Sequence, residues 1–169
     1  GALDLSASIT EGQFKAEIPA AHTLLIITRD RLYEGTHADG NLHEKIPYIN
    51  LLSQDATHEF ARLTYETYAQ RMGEDLSKWF EATFTDEPSL MSVFLKPMPY
   101  GCLPWEESFA EDFEQRNGYD LMPLLPLLAL DCGARGEAAR VKYDFWNTVG
   151  EKVAENYFGQ IQNFCARYN

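Results

Sequence analysis

Hydrophobic side chains recur along this chain in two rhythms, and each change of rhythm marks an element. Residues 13–18 alternate polar and apolar, Pro19-Ala20-Ala21 interrupts them, and Thr23-Leu24-Leu25-Ile26-Ile27 is rich in β-formers, which predicts an N-terminal β-hairpin. Residues 29–47 are polar, contain Gly35 and Gly40, and read as a loop; Tyr48-Ile49-Asn50-Leu51 is a short extended entry to the next element. Ser53 suits the N-cap of a helix that closes at Gly73, with Ala61, Tyr65, Tyr68 and Met72 on one face. Lys78 to Asp86 alternates again: Phe80, Ala82 and Phe84 face one way, Glu81, Thr83 and Thr85 the other, as in a strand. Residues 88–104 hold four prolines and no period, so they predict a long loop. A helix over 106–117 is acidic in its first turn and closed by Gly118; residues 121–130 predict a short helix interrupted by Pro123 and Pro126. The last helix repeats Ala139, Tyr143, Trp146, Gly150, Val153, Tyr157, Ile161, Phe164 and Tyr168 every three or four residues, a stripe that reads as core.

Strand, helix, strand, loop with short helices, and long helix make an α/β order. The expected fold class is a partial (β/α) TIM-barrel-type segment with a long C-terminal helix and an N-terminal β-hairpin. Residues 1–47 form the hairpin and loop, a candidate insertion, and residues 48–169 form the barrel segment.

Composition changes this picture little: 45% hydrophobic, 24% charged and 13% aromatic is ordinary for a globular domain. The net charge of −12 argues against nucleic acid, whose affinity comes from neutralising phosphates, and against an anionic membrane surface. A neutral sugar is compatible with it. Cys102, Cys132 and Cys165 are scattered and odd in number, which suggests reduced thiols rather than a disulfide framework or a zinc site. The apolar run at 121–130 is too short for a bilayer and is broken by two prolines. No basic stretch followed by an apolar one opens the chain, so no signal peptide is visible and the bacterial cytoplasm is the expected compartment.

The chemistry concentrates where the strand over 78–86 runs out into Thr85-Asp86-Glu87-Pro88. In parallel βα architecture functional groups gather at strand C-termini. Pro88 cannot donate to a ladder and holds Glu87 to extended geometry, so the strand stops there. A period of two sends Glu87 to the face of Thr83 and Thr85 and Asp86 to the other. Glycoside hydrolysis needs a protonated carboxyl for the leaving oxygen and a second carboxylate, and a Glu in such a pocket has its pKa raised by desolvation and by a neighbour such as Asp86. The tripeptide alone fits a polar strand-to-loop turn with both acids solvated somewhat better.

Five segments in order then resemble the α-L-rhamnosidase-like glycoside hydrolases. They are Tyr48 to Ala56 as a strand-to-helix junction, Phe84 to Pro88, Pro104-Trp105 before an acidic helix, Gly118 to Leu121, and Tyr143-Asp144-Phe145-Trp146 opening the long helix. The resemblance implies a (β/α)₈ barrel in the parent enzymes, with Glu87 as catalytic acid after the fourth strand. It also implies a carbohydrate substrate. A whole barrel takes about 250 residues, so the chain is expected to be a barrel fragment that needs the rest of its parent or self-association, with its second carboxylate on a later strand.

Asp86, Asn50, Trp105 and Tyr100 are the expected substrate-binding residues, the two aromatics by stacking on sugar rings. Against this stands a non-catalytic carbohydrate-binding or assembly module, in which Trp105 or Tyr100 binds sugar without Glu87. No cofactor is called for. His22, His37, His43 and His58 form no HExxH pattern, and although His37 and His43 flank Asp39 in a polar loop, no metal site is expected.

Overall fold

The computed structural model describes residues 3–29, 48–86, 88, 90, 101–130 and 132–168. The loop assigned to 29–47, with His37, Asp39 and His43, therefore lies almost wholly outside the described residues, as do Glu87 and Tyr100. What is described is helical. The helices are α1 (Gln54–Ala61), α2 (Thr67–Met72), α3 (Leu76–Trp79), α4 (Phe109–Asn117), α5 (Leu125–Ala129), α6 (Arg135–Val153) and α7 (Gln160–Arg167). Two π-helical turns, Arg62–Glu66 and Ala154–Gly159, join α1 to α2 and α6 to α7.

The described residues contain no strand and no sheet, which overturns the expected α/β barrel-type fold. The β-hairpin does not form: the one β-type pairing near it is an isolated bridge between Thr10 and Gln13. Ile26 is 75% exposed and Ile27 57%, so among the described residues these side chains gain little cover, and a lone hairpin without a hydrophobic partner is marginal in water. The strand assigned to 78–86 starts as helix, since Lys78 and Trp79 complete α3, and continues as extended chain without a ladder. Alternation gives a chain two faces, but only a neighbouring backbone makes it a strand.

By contact the chain divides into two compact units, residues 1–30 with 110–145 and residues 31–109 with 146–169. In the first, Phe113, Leu121, Val141 and Phe145 are completely buried, and Leu125 and Leu127 are nearly so. Pro123 and Pro126 sit at the starts of a 3₁₀ turn and of α5, where a missing N–H costs nothing. Tyr119 and Phe113 pack edge to face at 5.1 Å, and Tyr119 carries the Arg140 guanidinium 4.5 Å over its ring and donates to Asp144 at 2.7 Å. Burial, then this bond and the Asp144 charge, push its hydroxyl up to about 12, against a smaller opposing effect of Arg140.

In the second unit Ser53 caps α1 as its position implies, its Oγ accepting from the Ala56 N–H at 3.2 Å. Gly73 closes α2 at φ +54°, a backbone that side chains rarely adopt. Between them the expected face holds at Ala61, Tyr65 and Met72 but not at Tyr68. Ala69 is buried in place of the exposed Tyr68, since the π turn inserts a wider i→i+5 step just before it. Threonines take up carbonyls there: Thr64 Oγ1 donates to Phe60 O at 2.6 Å and Thr67 Oγ1 to Arg62 O at 3.3 Å.

The same correction holds for the long C-terminal stripe. Tyr157, Ile161 and Phe164 are buried as expected, but Tyr143 is 71% and Trp146 42% exposed, so Trp146 is not core. Val141, Phe145, Val149 and Lys152 lie on the buried side instead. Both faces of α6 carry apolar residues at helical spacing, and periodicity cannot choose between two such stripes.

Candidate functional site

The site is built in the second unit on the π turn 154–159 and α7. Leu51, Tyr157 and Ile161 form a buried cluster with Ile49, Tyr65, Leu90, Val153 and Cys165 packed against it. Phe60 of α1 stacks on Tyr157 at 6.4 Å and Tyr65 lies against Phe164 of α7 at 5.3 Å, so α1 with its π turn meets the second π turn and α7 through aromatic rings. Burial, with Tyr157 and Cys165 close by, raises the Tyr65 hydroxyl above its ordinary range.

Two backbone segments are fastened to this scaffold by side chains. The first is the entry to α1: Asn156 Nδ2 donates to Leu52 O at 2.6 Å, and Gln160 Nε2 donates to Gln54 O at 2.9 Å. The second is the extended segment. Thr85 Oγ1 and the Tyr157 hydroxyl are 2.9 Å apart, and Thr83 Oγ1 lies 3.4 Å from Cys165 Sγ. The face of Thr83 and Thr85 therefore meets the helix, while Phe84 is 85% exposed on the other side. The alternation seen in sequence survives, and it is the hydroxyl face that is held.

The expected substrate-binding residues fare differently. Asn50 and Trp105 come together: Asn50 Nδ2 donates to the Trp105 carbonyl at 3.1 Å, and Asn50 Oδ1 accepts from the Leu52 N–H at 3.1 Å. Asn50 thus ties the 50–52 turn to the 104–106 segment. Trp105 is half-buried with its ring 5.1 Å from Phe109. Asp86 is exposed at the end of the held segment. Leu51, next to Asn50, shares the buried cluster of Tyr157, and Thr85, next to Asp86, bonds that same tyrosine. One residue therefore underlies both the 50–52 turn and the extended segment.

Sequence reasoning missed a buried ion pair beside Trp105. Lys152 Nζ lies 2.8 Å from Glu106 Oε1, with side-chain exposures of 6% and 13%, and 3.4 Å from Ser108 Oγ. Ser108 donates to the same carboxylate from its hydroxyl at 2.6 Å and its N–H at 2.9 Å. Burial pushes the Glu106 carboxyl up, but the bonds from Lys152 and Ser108 outweigh it and hold the group below the ordinary range. A carboxylate held ionised at neutral pH does not serve as a proton donor. The signal was available: with Val141, Phe145 and Thr148, Lys152 completes a helical face, and a lysine in that phase must find a partner. Among the described residues no group of three or more His, Cys, Asp or Glu side chains could hold a metal ion, and no helix is long and apolar enough to cross a membrane.

Comparison with known proteins adds the chemical class. Residues 49–169 match glycoside hydrolase family 106, described as α-L-rhamnosidase. A protein of Formosa agariphila named "Putative beta-glucuronidase" is 35% identical over 66 residues, 38% of this chain and 6% of that protein. The chain thus spans a small part of the length of this relative. No solved structure matches the chain.

Proposed function

We propose that this chain, which belongs to the α-L-rhamnosidase family of glycoside hydrolases, is the part of a larger enzyme that supplies the general acid for hydrolysis of an O-glycosidic bond. Glu87 is that acid. The observation that carries the reading is the extended segment leading to Asp86: it is held by alternate hydroxyls on a buried aromatic scaffold, and the next residue in sequence is Glu87. In the reaction a carboxyl of this kind gives its proton to the leaving oxygen as the bond to the anomeric carbon breaks, and a second carboxylate, elsewhere in the enzyme, acts on water or on that carbon. Glu106 is unsuited to the acid's part because Lys152 and Ser108 keep it ionised. Trp105 and Asn50, joined by a hydrogen bond, are the sugar-contacting residues of this part, with Asp86 and Tyr100, and a terminal rhamnoside is the substrate the family description favours.

The test is Glu87→Gln in the full-length enzyme, assayed on glycosides with an alcohol leaving group. General acid catalysis contributes about 10²–10⁴-fold, so turnover should fall by that order while the protein stays folded. Near-normal turnover would remove Glu87 from the role.

A further inference from the structure

Among the described residues, Tyr157 carries a buried phenol that the proposed reaction does not use. Tyr157 is 6% exposed, and its hydroxyl meets Thr85 Oγ1 at 2.9 Å, either atom being able to donate. Its ring is fixed on several sides: Phe60 stacks on it, Phe158 meets it edge-on at 5.2 Å, and Leu51 and Ile161 complete the cluster. Its backbone is unusual too. Tyr157 sits inside the π turn 154–159, whose flanking amides Asn156 and Gln160 bind the α1 entry; Gln160 Nε2 also donates to the Asn156 carbonyl at 2.7 Å. Single π turns inside α-helices collect at functional sites because the extra residue re-aims a side chain at the cost of helix regularity. Here the re-aimed side chain points its hydroxyl at a residue two positions before Glu87.

We infer that Tyr157 is a positioning residue for the acid: through Thr85, with the Thr83–Cys165 contact as a second hold, it sets the register and depth of the segment that delivers Glu87. The inference rests on Glu87 being the acid. A segment with no neighbouring strand among the described residues has to be located by side chains, and alternate threonines on one face suit that task, since a small hydroxyl meets its partner only when the backbone is close. Losing the hold should loosen the proton donor without touching substrate affinity, because a displacement of about 1 Å can cost on the order of 10²-fold in rate.

The experiment uses the full-length enzyme with Tyr157→Phe, which keeps the ring and removes the hydroxyl. On a glycoside with an alcohol leaving group, kcat should fall about 10-fold with KM within about 2-fold of the parent. On an aryl glycoside whose acidic phenol departs without protonation, kcat/KM should stay within about 2-fold. Thr85→Val removes the same bond from the less buried side and should reproduce the pattern, so a Tyr157→Phe protein that fails to fold does not end the test. Glu87→Gln in parallel separates the two readings. If Glu87→Gln shows the leaving-group dependence and both positioning variants keep the parent's kcat, the positioning role is overturned. Equal losses on both glycosides also overturn it, since they mark general damage. If Glu87→Gln itself leaves the alcohol glycoside unaffected, the acid assignment fails first, and the inference with it.

Discussion

Lys152→Met is the sharpest test of how the second unit is held. The substitution keeps most of the side-chain stem and removes the charge from a pair whose members are 6% and 13% exposed and 2.8 Å apart. At an effective dielectric constant of about 20 that separation carries about 6 kcal/mol of gross attraction. Desolvation of the two ions offsets most of it, so the intact pair adds little net stability. Removing one partner is different: Glu106 loses its counter-charge and keeps the Ser108 bonds, and such losses run to about 3–5 kcal/mol. With a urea m-value of about 2 kcal/mol/M the unfolding midpoint should drop by about 1.5–2.5 M at neutral pH. The pH dependence has a definite sign. The folded-state pKa of Glu106 lies below its ordinary value of 4.5, so the stability it contributes is present above that value and is lost as pH falls through the folded pKa. The gap between Lys152→Met and the parent should therefore be widest at neutral pH and shrink below about pH 4. Glu106→Gln combined with Lys152→Met should recover much of the loss, because no charge is then stranded. A single-variant loss below about 1 kcal/mol at neutral pH would refute the reasoning, since that is the contribution of a solvent-screened surface pair.

Ser53→Ala should cost about 1 kcal/mol in thermal or urea unfolding, through loss of the bond from the Ala56 N–H, with little change in m. In an ultraviolet titration Tyr119 should ionise near pH 12, and Tyr119→Phe should delete that step. Because its folded pKa is raised, the stability it contributes is present below about pH 10 and is lost as pH rises through about 12, so the variant should lose the parent's alkaline unfolding shoulder.

Local signals were well written in the chain. Ser53 and Gly73 bound the helical stretch they were expected to bound, Pro123 and Pro126 open short turns, and Gly118 stands just beyond α4. These depend on a few neighbouring residues and on backbone rules that act over one turn. The alternation in 80–86 was also legible, and Thr83 and Thr85 share a face as it implies. Of the candidate site, Asn50 and Trp105 were named separately, but their hydrogen bond across 55 residues of sequence could not be.

Residue order alone therefore carries the caps, the breaks, the two-faced segment before Asp86, and membership of a glycoside hydrolase family over residues 49–169. Packing chose among the possibilities that order left open. Whether 80–86 is a strand depends on a neighbouring backbone, and among the described residues a tyrosine and a cysteine hold it instead. Which side of α6 is core depends on what packs there, and Val141 and Phe145 are covered while Tyr143 and Trp146 are not. The two π turns each insert a wider i→i+5 step, which at the first exchanges Tyr68 for Ala69 on the buried face and which helical periodicity does not encode. Lys152 shows the common reason: its place on a buried face was visible in the spacing, but only the fold brings Glu106 to within 2.8 Å and turns a misplaced charge into a buried pair.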